Sequence, residues 1–255
     1  MNERIEPIPF SKYDHTPISE TETLITRYKA HGNLKTLKLP DTLDGYAVSG
    51  IDTEAIEEGG RLEKIILPRT LKFLLGVPYT DRKSRPELIL DPENPYLAIT
   101  DGAVTDKART QLMSYCPVQD TQRYVLPEGI RSIGKCAFYG YTGLKEIILS
   151  DGLKTIEAEA FALCLGLKKI ILPDTLEEIG EEAFRLCISL DDIALPQNLR
   201  KIARAAFLYC VHLENVKWPS GNKLKDVHED AFFGCPDQTR KIGVIYSIDW
   251  SLDES

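Results

Sequence analysis

The hydrophobic positions between residues 126 and 235 recur with a fixed period. Units start at Leu126, Leu149, Leu172 and Leu195, each 23 residues after the previous one, and a fifth starts at Trp218. The fifth unit carries two extra residues, so its later positions shift by two. A period sustained over five units predicts a repeat architecture in which each unit buries its apolar residues against its neighbours.

Three columns of matched residues define each unit. The first column is aliphatic: Ile133, Ile156, Ile179, Ile202 and Val227. The second is an Ala-Phe pair, at residues 137–138, 160–161, 183–184, 206–207 and 231–232. The third holds Tyr141, Cys164, Cys187, Cys210 and Cys235. We expect the phenylalanines to stack as an interior spine, because neighbouring units place them one above the other.

The string Leu-x-x-Ile-x-Leu also recurs, as in Leu144 to Leu149 or Leu167 to Leu172. This string predicts a short strand that pairs in parallel with the strand of the next unit. Because successive side chains of a strand point to opposite faces, the Ile and the second Leu point inward. The residues between and after them then point outward. A proline after the strand, as at Pro173, has no N–H for the ladder and marks the strand's end.

The rest of the chain follows the pattern more loosely. Residues 34–40 and 62–68 repeat the strand string, so 34–85 are interpreted as irregular repeats and 126–235 as five regular ones. Between them, residues 86–125 alternate around Asp101-Gly102, which predicts an inserted β-hairpin. Residues 1–33 and 236–255 are the expected N-terminal and C-terminal caps. The whole of 1–255 is therefore expected to form one domain.

The pattern LPxxLxxIxxxAFxxCxxLxxIxLP closely resembles the BspA-like branch of the leucine-rich-repeat family over residues 126–235. Residues 34–85 resemble it weakly, and Tyr141 departs from its cysteine column. The resemblance implies an α/β-type repeat solenoid, a right-handed superhelix or horseshoe with short parallel strands on its concave face and an inserted β-hairpin. It also implies a bacterial protein of the adhesin or surface-antigen type, secreted or at the cell surface, that binds other macromolecules.

Charge and hydropathy narrow the classes of partner. The formal net charge of -8 and the pI of about 5.2 argue against nucleic acid, whose binders usually present a basic face. The first twenty residues lack the apolar region of a secretory signal, and no apolar run approaches the ~18 residues of a membrane span. The chain as given is therefore expected to be soluble and without a membrane span. The compartment stays open between the cytoplasm and the surface location that the resemblance implies.

The column cysteines are a candidate for chemistry. Cys164, Cys187, Cys210 and Cys235 should form a line one strand spacing apart, which cannot converge on one tetrahedral zinc ion. Packing as small hydrophobic residues is the favoured interpretation, and disulfides between neighbouring units are the alternative. Cys136 lies outside the column and is the expected reactive thiol.

Other candidate sites are weaker. His212 and His228 with Cys210 and Cys235 have a faint zinc-like spacing, and Asp91, Glu93, Asn94 and Asp101 offer oxygens without the calcium-loop motif. Paired acids such as Glu181-Glu182 fall at variable repeat positions, as solvated residues do. We therefore expect no metal, no cofactor and no catalytic residues.

The outward strand positions form the candidate binding surface. Its central column is Lys38, Ile66, Ile148, Ile171, Ala194 and Lys217. Its flanking column is Lys64, Glu146, Lys169, Asp192 and Asn215. An apolar stripe with a polar rim is typical of a partner-binding patch. The competing interpretations are strand propensity alone, or a stripe covered by a terminal segment.

The function that follows is a non-catalytic module that binds a protein partner through its concave strands, with Ile148 and Ile171 as anchors. Two alternatives remain at this stage. One is a cell-surface adhesin fragment that binds glycan or matrix. The other is an enzyme whose site is scattered along the chain and shows no motif.

Overall fold

A computed structural model describes residues 9–29, 34–52, 56, 62–76, 86–117, 121–220 and 223–236. The chain is a β-solenoid of about eight turns, and the described residues contain 21 short strands. The repeat expected from the 23-residue period is therefore confirmed. The right-handed horseshoe curvature stays a prediction.

The Leu-x-x-Ile-x-Leu strings form the strands of one wall, which we call the front sheet. Three of its strands pair in parallel: β12 (Arg123–Val125), β14 (Glu146–Ile148) and β16 (Lys169–Ile171). Two more pair in parallel after them: β18 (Asp192–Ala194) and β20 (Asn215–Lys217). The register aligns equivalent residues of successive units, with Glu146 beside Lys169 and Ile148 beside Ile171.

The aliphatic column forms a second wall. Two-residue strands stack in parallel as β13 (Ser132–Ile133), β15 (Thr155–Ile156), β17 (Glu178–Ile179), β19 (Lys201–Ile202) and β21 (Asp226–Val227). Each buries its aliphatic residue and leaves the preceding residue on the outside, although Val227 at the end of the stack is only half-buried. We call this wall the second sheet.

The Ala-Phe segments are tight turns, which corrects the expected α/β class. The described residues contain no α-helix, and their helical structure is of the 3-10 type, as at Phe10–Lys12. Each turn includes residues in the left-handed region, such as Glu159 (φ 56°) and Leu163 (φ 60°), which an α-helix does not admit. The backbone instead links the coils: the N–H of Phe161 donates to the carbonyl oxygen of Ala183, 2.8 Å away.

The predicted phenylalanine spine is confirmed. Phe138, Phe161, Phe184 and Phe207 are fully buried, and Phe232 is 5% exposed. Neighbouring rings lie 4.8–5.2 Å apart between centroids and within 13° of parallel. Phe161, Phe184 and Phe207 thus each contact a ring of the coil above and one of the coil below, so burial is shared between units.

The N-terminal part has its own arrangement. One parallel sheet holds β3 (Thr36–Lys38), β6 (Lys64–Leu67) and β8 (Glu87–Leu90), the strands of the irregular repeats. The other N-terminal sheet consists of β1 (Tyr13–Pro17), β2 (Glu22–Tyr28), β4 (Thr42–Leu43), β5 (Tyr46–Asp52) and β7 (Phe73–Leu75). Its strand order is β1-β2-β5-β4, and β7 also pairs with β5. Within the expected N-terminal cap, β1 and β2 form an antiparallel pair.

The segment around Asp101-Gly102 joins the two halves. Strands β9 (Leu97–Thr100) and β10 (Ala103–Asp106) are antiparallel across this turn, whose residues have φ of 50° and 79°. β10 then pairs antiparallel with β11 (Gln111–Tyr115), which is parallel to β13. Alternate side chains of β10 enter two cores: Ala103 packs with the regular repeats and Val104 with the N-terminal half. The expected C-terminal cap, 236–255, lies outside the described residues apart from Pro236.

Candidate interaction surface on the front sheet

Alternation along each front strand separates core from surface. Ile147, Ile170 and Ile193 point inward and are buried. Of the predicted central column, Ile148 is half-buried, Ile171 is 41% exposed, and Ala194 and Lys217 are exposed. A single exposed aliphatic side chain is common, so the exposure of Ile171 matters only if it belongs to a larger apolar patch.

The central column contains a residue that the sequence interpretation missed. Val125 lies beside Ile148 in β12 and is 50% exposed, so the apolar run is Val125, Ile148, Ile171 and Ala194. The string Tyr124-Val125-Leu126-Pro127 carries the end of the strand signature, but its first two residues fell within the segment assigned to the hairpin. Ile66 lies instead in the β3-β6-β8 sheet, where its neighbours are Lys38 and Ile89.

The flanking column forms a ladder of charges in the described strands. Glu146 accepts from Arg123 Nε at 3.0 Å and from Lys169 Nζ at 3.1 Å, one partner on each side. The hydrogen bond from Lys169, together with the charges of Lys169 and Arg123, lowers the pKa of the Glu146 carboxyl. These pairs are solvent-exposed and add little stability, but they hold the rim in one arrangement.

In the last two front strands the ladder continues with Asp192 and Asn215, which are exposed. Asp192 follows Lys169 in the order of the coils, and Asn215 lies beside it in β20. The hydrogen bond with the neighbouring Asp191 carboxyl raises the pKa of Asp192, with desolvation and the Asp191 charge acting in the same direction. In the N-terminal sheet, Lys64 pairs with Glu87 at 3.5 Å. The rim of the central column is therefore positive, negative, positive and negative in turn.

The column cysteines are buried thiols with a specific partner. Cys164, Cys187, Cys210 and Cys235 each donate from Sγ to the carbonyl oxygen of the phenylalanine one coil earlier, at 3.0–3.2 Å. That oxygen also accepts an N–H from its own turn, as Phe161 does from Cys164. Burial raises the pKa of the Cys187 thiol, so the neutral donor is the favoured form.

Tyr141 fills the cysteine position of the first regular unit in another way. Its hydroxyl donates to the carbonyl oxygen of Thr121 at 3.0 Å and accepts the Thr121 N–H at 2.7 Å. The coil before it presents Tyr115 to the ring stack in place of a phenylalanine. In the first regular unit, where the stack of phenylalanines begins, the longer side chain of Tyr141 therefore takes the place of the cysteine thiol.

The weaker candidate sites resolve into local roles. Asn94, a considered calcium ligand, is buried and uses its amide to bind the backbone of Pro68, Leu71, Tyr96 and Leu97. His212 is exposed, with Nδ1 2.5 Å from the carbonyl oxygen of Ile188. Cys136 is half-buried at a φ of 57°. Within the described part of the chain, no group of three or more His, Cys, Asp or Glu side chains could hold a metal ion.

Comparisons with known proteins agree with this architecture. A family model described as a BspA type leucine rich repeat region matches residues 114–239 with six copies. That is one copy more than the five units read from the spacing. The matched range begins at residue 114, so it reaches back into the segment assigned to the hairpin insertion, where Tyr115 joins the ring stack. A comparison with curated protein sequences found no significant match.

Solved structures share the fold. The pneumococcal vaccine antigen PcpA has 21% identity and a TM-score of 0.56 over 80% of this chain and 57% of that one. A leucine-rich cell surface protein of Faecalibacterium prausnitzii has 16% identity and a TM-score of 0.55 over 90% and 93%. A leucine-rich repeat protein of Eubacterium ventriosum has 16% identity and a TM-score of 0.52 over 78% and 64%. This chain thus spans little more than half of the pneumococcal antigen.

The family match rests on the same features as the geometry. The repeated Ala-Phe turns, the cysteine column and the parallel front strands all lie within the matched residues. Among the helices that the structure describes, none is long and apolar enough to cross a membrane. The repeat region of this chain, residues 114–239, belongs to the BspA-type leucine-rich-repeat family.

Proposed function

We propose that the front sheet is the binding surface of a non-catalytic module whose partner is a protein. The observation that carries this proposal is the outward aliphatic column of Val125, Ile148 and Ile171, of which Val125 and Ile171 are exposed. It lies beside the charge ladder of Arg123, Glu146 and Lys169. An apolar centre with a polar rim is the usual composition of a protein interface. Ile148 and Ile171 are the proposed anchors.

The side chains favour a protein over a glycan as the partner. A sugar presents hydroxyl groups that must find new hydrogen-bond partners when they leave water. The aliphatic column offers none, and the carboxylate of Glu146 is already shared by two cations. Apolar side chains of a protein partner lose no hydrogen bonds when they pack against this column. The partner's charged side chains can pair with the alternating charges of the rim.

The remaining residues of the proposed site extend the surface along the solenoid. Asp192, Ala194, Asn215 and Lys217 continue both columns towards the C-terminal end, and all four are exposed. Ile66 lies in the N-terminal sheet and would contact a partner only if the partner spans both sheets. The anchors therefore lie in the middle of the proposed surface, with charged residues towards its C-terminal end.

The test compares a double variant with a charge-matched control. Ile148→Asp with Ile171→Asp adds two negative charges to the front sheet, and Lys201→Asp makes the same change in net charge on the second sheet. Partners captured from the lysate and surface fraction of the source organism are identified by mass spectrometry, and their affinity for each variant is then measured. The double variant should lose binding, while the control retains it.

Any of three results contradicts this proposal. Unchanged affinity in a folded double variant would remove the front sheet as the binding surface. Hits on a glycan array that survive the double variant would favour the alternative of a glycan-binding adhesin. Turnover of a substrate by the purified protein would favour the enzyme alternative.

We further propose that the protein acts at the bacterial cell surface. The support is that two solved structures with this fold are named as a vaccine antigen and a cell surface protein. Labelling of intact cells with a membrane-impermeant biotin reagent tests the location. Labelling only after the cells are broken would contradict it.

A further inference from the structure

A second apolar surface lies on the outer turns, between the Ala-Phe pairs and the front strands. The residues on either side of the column cysteine are apolar in three successive coils: Leu163, Leu165, Leu186, Ile188, Tyr209 and Val211. With Phe233 of the last coil, we call them the turn stripe. Tyr209 and Val211 are each 45% exposed and Phe233 is 57% exposed, whereas the leucines and Ile188 are half-buried.

The backbone shows that these side chains are not needed to form the coil. Leu163, Leu186 and Tyr209 have φ of 60°, 58° and 56°, and the same position holds Gly140 and Gly234 in the first and last coils. A side chain in this left-handed region costs about 1–2 kcal/mol relative to glycine. Bulky apolar residues at a strained and partly exposed position therefore point to a contact outside the coil.

The most exposed end of the stripe is a small aromatic platform. The rings of Tyr209 and Phe233 meet edge to face, with centroids 5.9 Å apart. The Tyr209 ring lies over Gly234, where an added Cβ would come within 2.3 Å of its Cδ1 atom. Glycine at 234 thus makes room for the ring, and Val211 completes the platform beside it.

The chain leaves the described solenoid at this platform. Pro236 follows Cys235 as Val211 follows Cys210, so residues 237–255 start at the exposed end of the stripe. In this segment Ile242, Val244, Tyr246, Ile248, Trp250 and Leu252 occupy every second position. Such alternation gives an extended segment one apolar side.

The charges beside the stripe change sign along it. Lys145 and Lys168 are exposed in the first two coils, and Asp191 and Glu214 hold the same position in the next two. The Nζ of Lys145 lies over Gly166, beside Leu165 of the stripe. After Asp237, the C-terminal segment has the opposite order: Arg240 and Lys241 come first, and the acids at 249, 253 and 254 come late. If the segment runs from the last coil towards the first, Arg240 and Lys241 therefore come nearest to Glu214 and Asp191.

We propose that residues 242–252 bind along the turn stripe of their own chain, with their apolar side on Tyr209, Val211 and Phe233. Four coils span about 14 Å, which five extended residues of about 3.3 Å each would cover, so the segment is long enough. The short connection from Pro236 raises the effective concentration of the segment to the millimolar range. This contact is separate from the front sheet and leaves the proposed binding surface open.

The experiment uses the full chain with Trp250 as its only tryptophan, obtained by Trp218→Phe. Acrylamide quenching of Trp250 fluorescence is measured in this parent, in Tyr209→Gly with Phe233→Ser added, and in Val125→Ser as the matched control on the front sheet. Tyr209→Gly relieves the backbone strain while it removes the ring, so loss of folding is not the expected effect. Thermal unfolding verifies that each variant is folded.

The expected result is that Trp250 in the parent and in the Val125→Ser control is several-fold less quenched than in the guanidinium-denatured chain. Quenching should rise towards the denatured value in the Tyr209→Gly, Phe233→Ser variant. Full quenching in the parent, or protection that survives the loss of both rings, would overturn the proposal. Protection that disappears on dilution, with a dimer in light scattering, would assign the stripe to a second copy and also overturn it.

Discussion

The thiol of Cys187 donates a hydrogen bond to the carbonyl oxygen of Phe161, one coil earlier, across 3.2 Å. The same oxygen accepts the N–H of Cys164 at 3.1 Å, so both of its acceptor sites are used. Three other coils repeat this arrangement. The cysteine column therefore serves as a line of buried donors that connect each Ala-Phe turn to the next coil.

The first prediction tests whether Cys187 stabilises the fold through its hydrogen bond or only by filling space. Cys187→Ser keeps a donor for the Phe161 oxygen, whereas Cys187→Ala removes it and leaves the second acceptor site empty. We expect the alanine variant to be less stable than the serine variant by about 1 kcal/mol, the usual net value of such a bond. Urea unfolding at equal protein concentration measures the difference. An alanine variant as stable as the serine variant would show that only packing matters here.

The second prediction concerns thiol reactivity. Burial raises the pKa of the Cys187 thiol and hides its sulfur, whereas Cys136 is half-buried on an outer turn. Because the thiolate is the reactive form, iodoacetamide should modify Cys136 well before Cys187 in the native protein. Peptide mapping over a time course measures both rates, and the denatured protein, in which all thiols react, is the control. Rapid native modification of Cys187 would contradict the buried-donor role.

The interior of the regular repeats follows directly from the sequence. A 23-residue period places Phe138, Phe161 and Phe184 one above another, because a stacked coil has no other way to bury them. The alternation that buries Ile147 and places Ile148 on the outer face is equally local. These features need only the period and the two faces of a strand.

Other features depend on neighbours that spacing does not identify. The bond from the Cys187 thiol joins two coils through a backbone oxygen, and no side-chain pattern marks that acceptor. Val125 belongs to the central column of the front sheet only because β12 pairs with β14, although this residue lies in the segment assigned to the hairpin. The α/β expectation failed for a similar reason, since the left-handed residues of each turn, such as Glu159, leave no typical glycine signal.

The third prediction uses the acid pair at the rim. The pKa of Asp192 is raised in the folded state by the hydrogen bond with Asp191, so its ionised form is less favoured in the fold than in the unfolded chain. At pH 7 this ionisation destabilises the fold, and below its ordinary pKa of 3.8 the penalty disappears. Asp192→Asn should therefore raise the thermal midpoint at pH 7 and leave it unchanged at pH 3.

Glu146→Gln is the matched control for that prediction, because the pKa of Glu146 is shifted in the other direction. Lys169 and Arg123 lower it, so the ionised carboxylate stabilises the fold at pH 7, and this stabilisation is lost as the pH falls through the lowered pKa. Glu146→Gln should thus lower the thermal midpoint at pH 7. The same sign of change in both variants would rule out the opposed environments inferred for the two carboxyl groups.

The last prediction compares the middle and the end of the phenylalanine stack. Phe184 is fully buried between Phe161 and Phe207, with ring centroids 5.2 and 5.1 Å away, so Phe184→Ala leaves a cavity in contact with two coils. We expect a loss of about 3–5 kcal/mol in the free energy of unfolding. Phe232 has one stacked ring neighbour, Phe207, and is 5% exposed, so Phe232→Ala should cost less. Urea unfolding followed by circular dichroism gives both values, and equal losses would show that the last coil is as tightly packed as the middle.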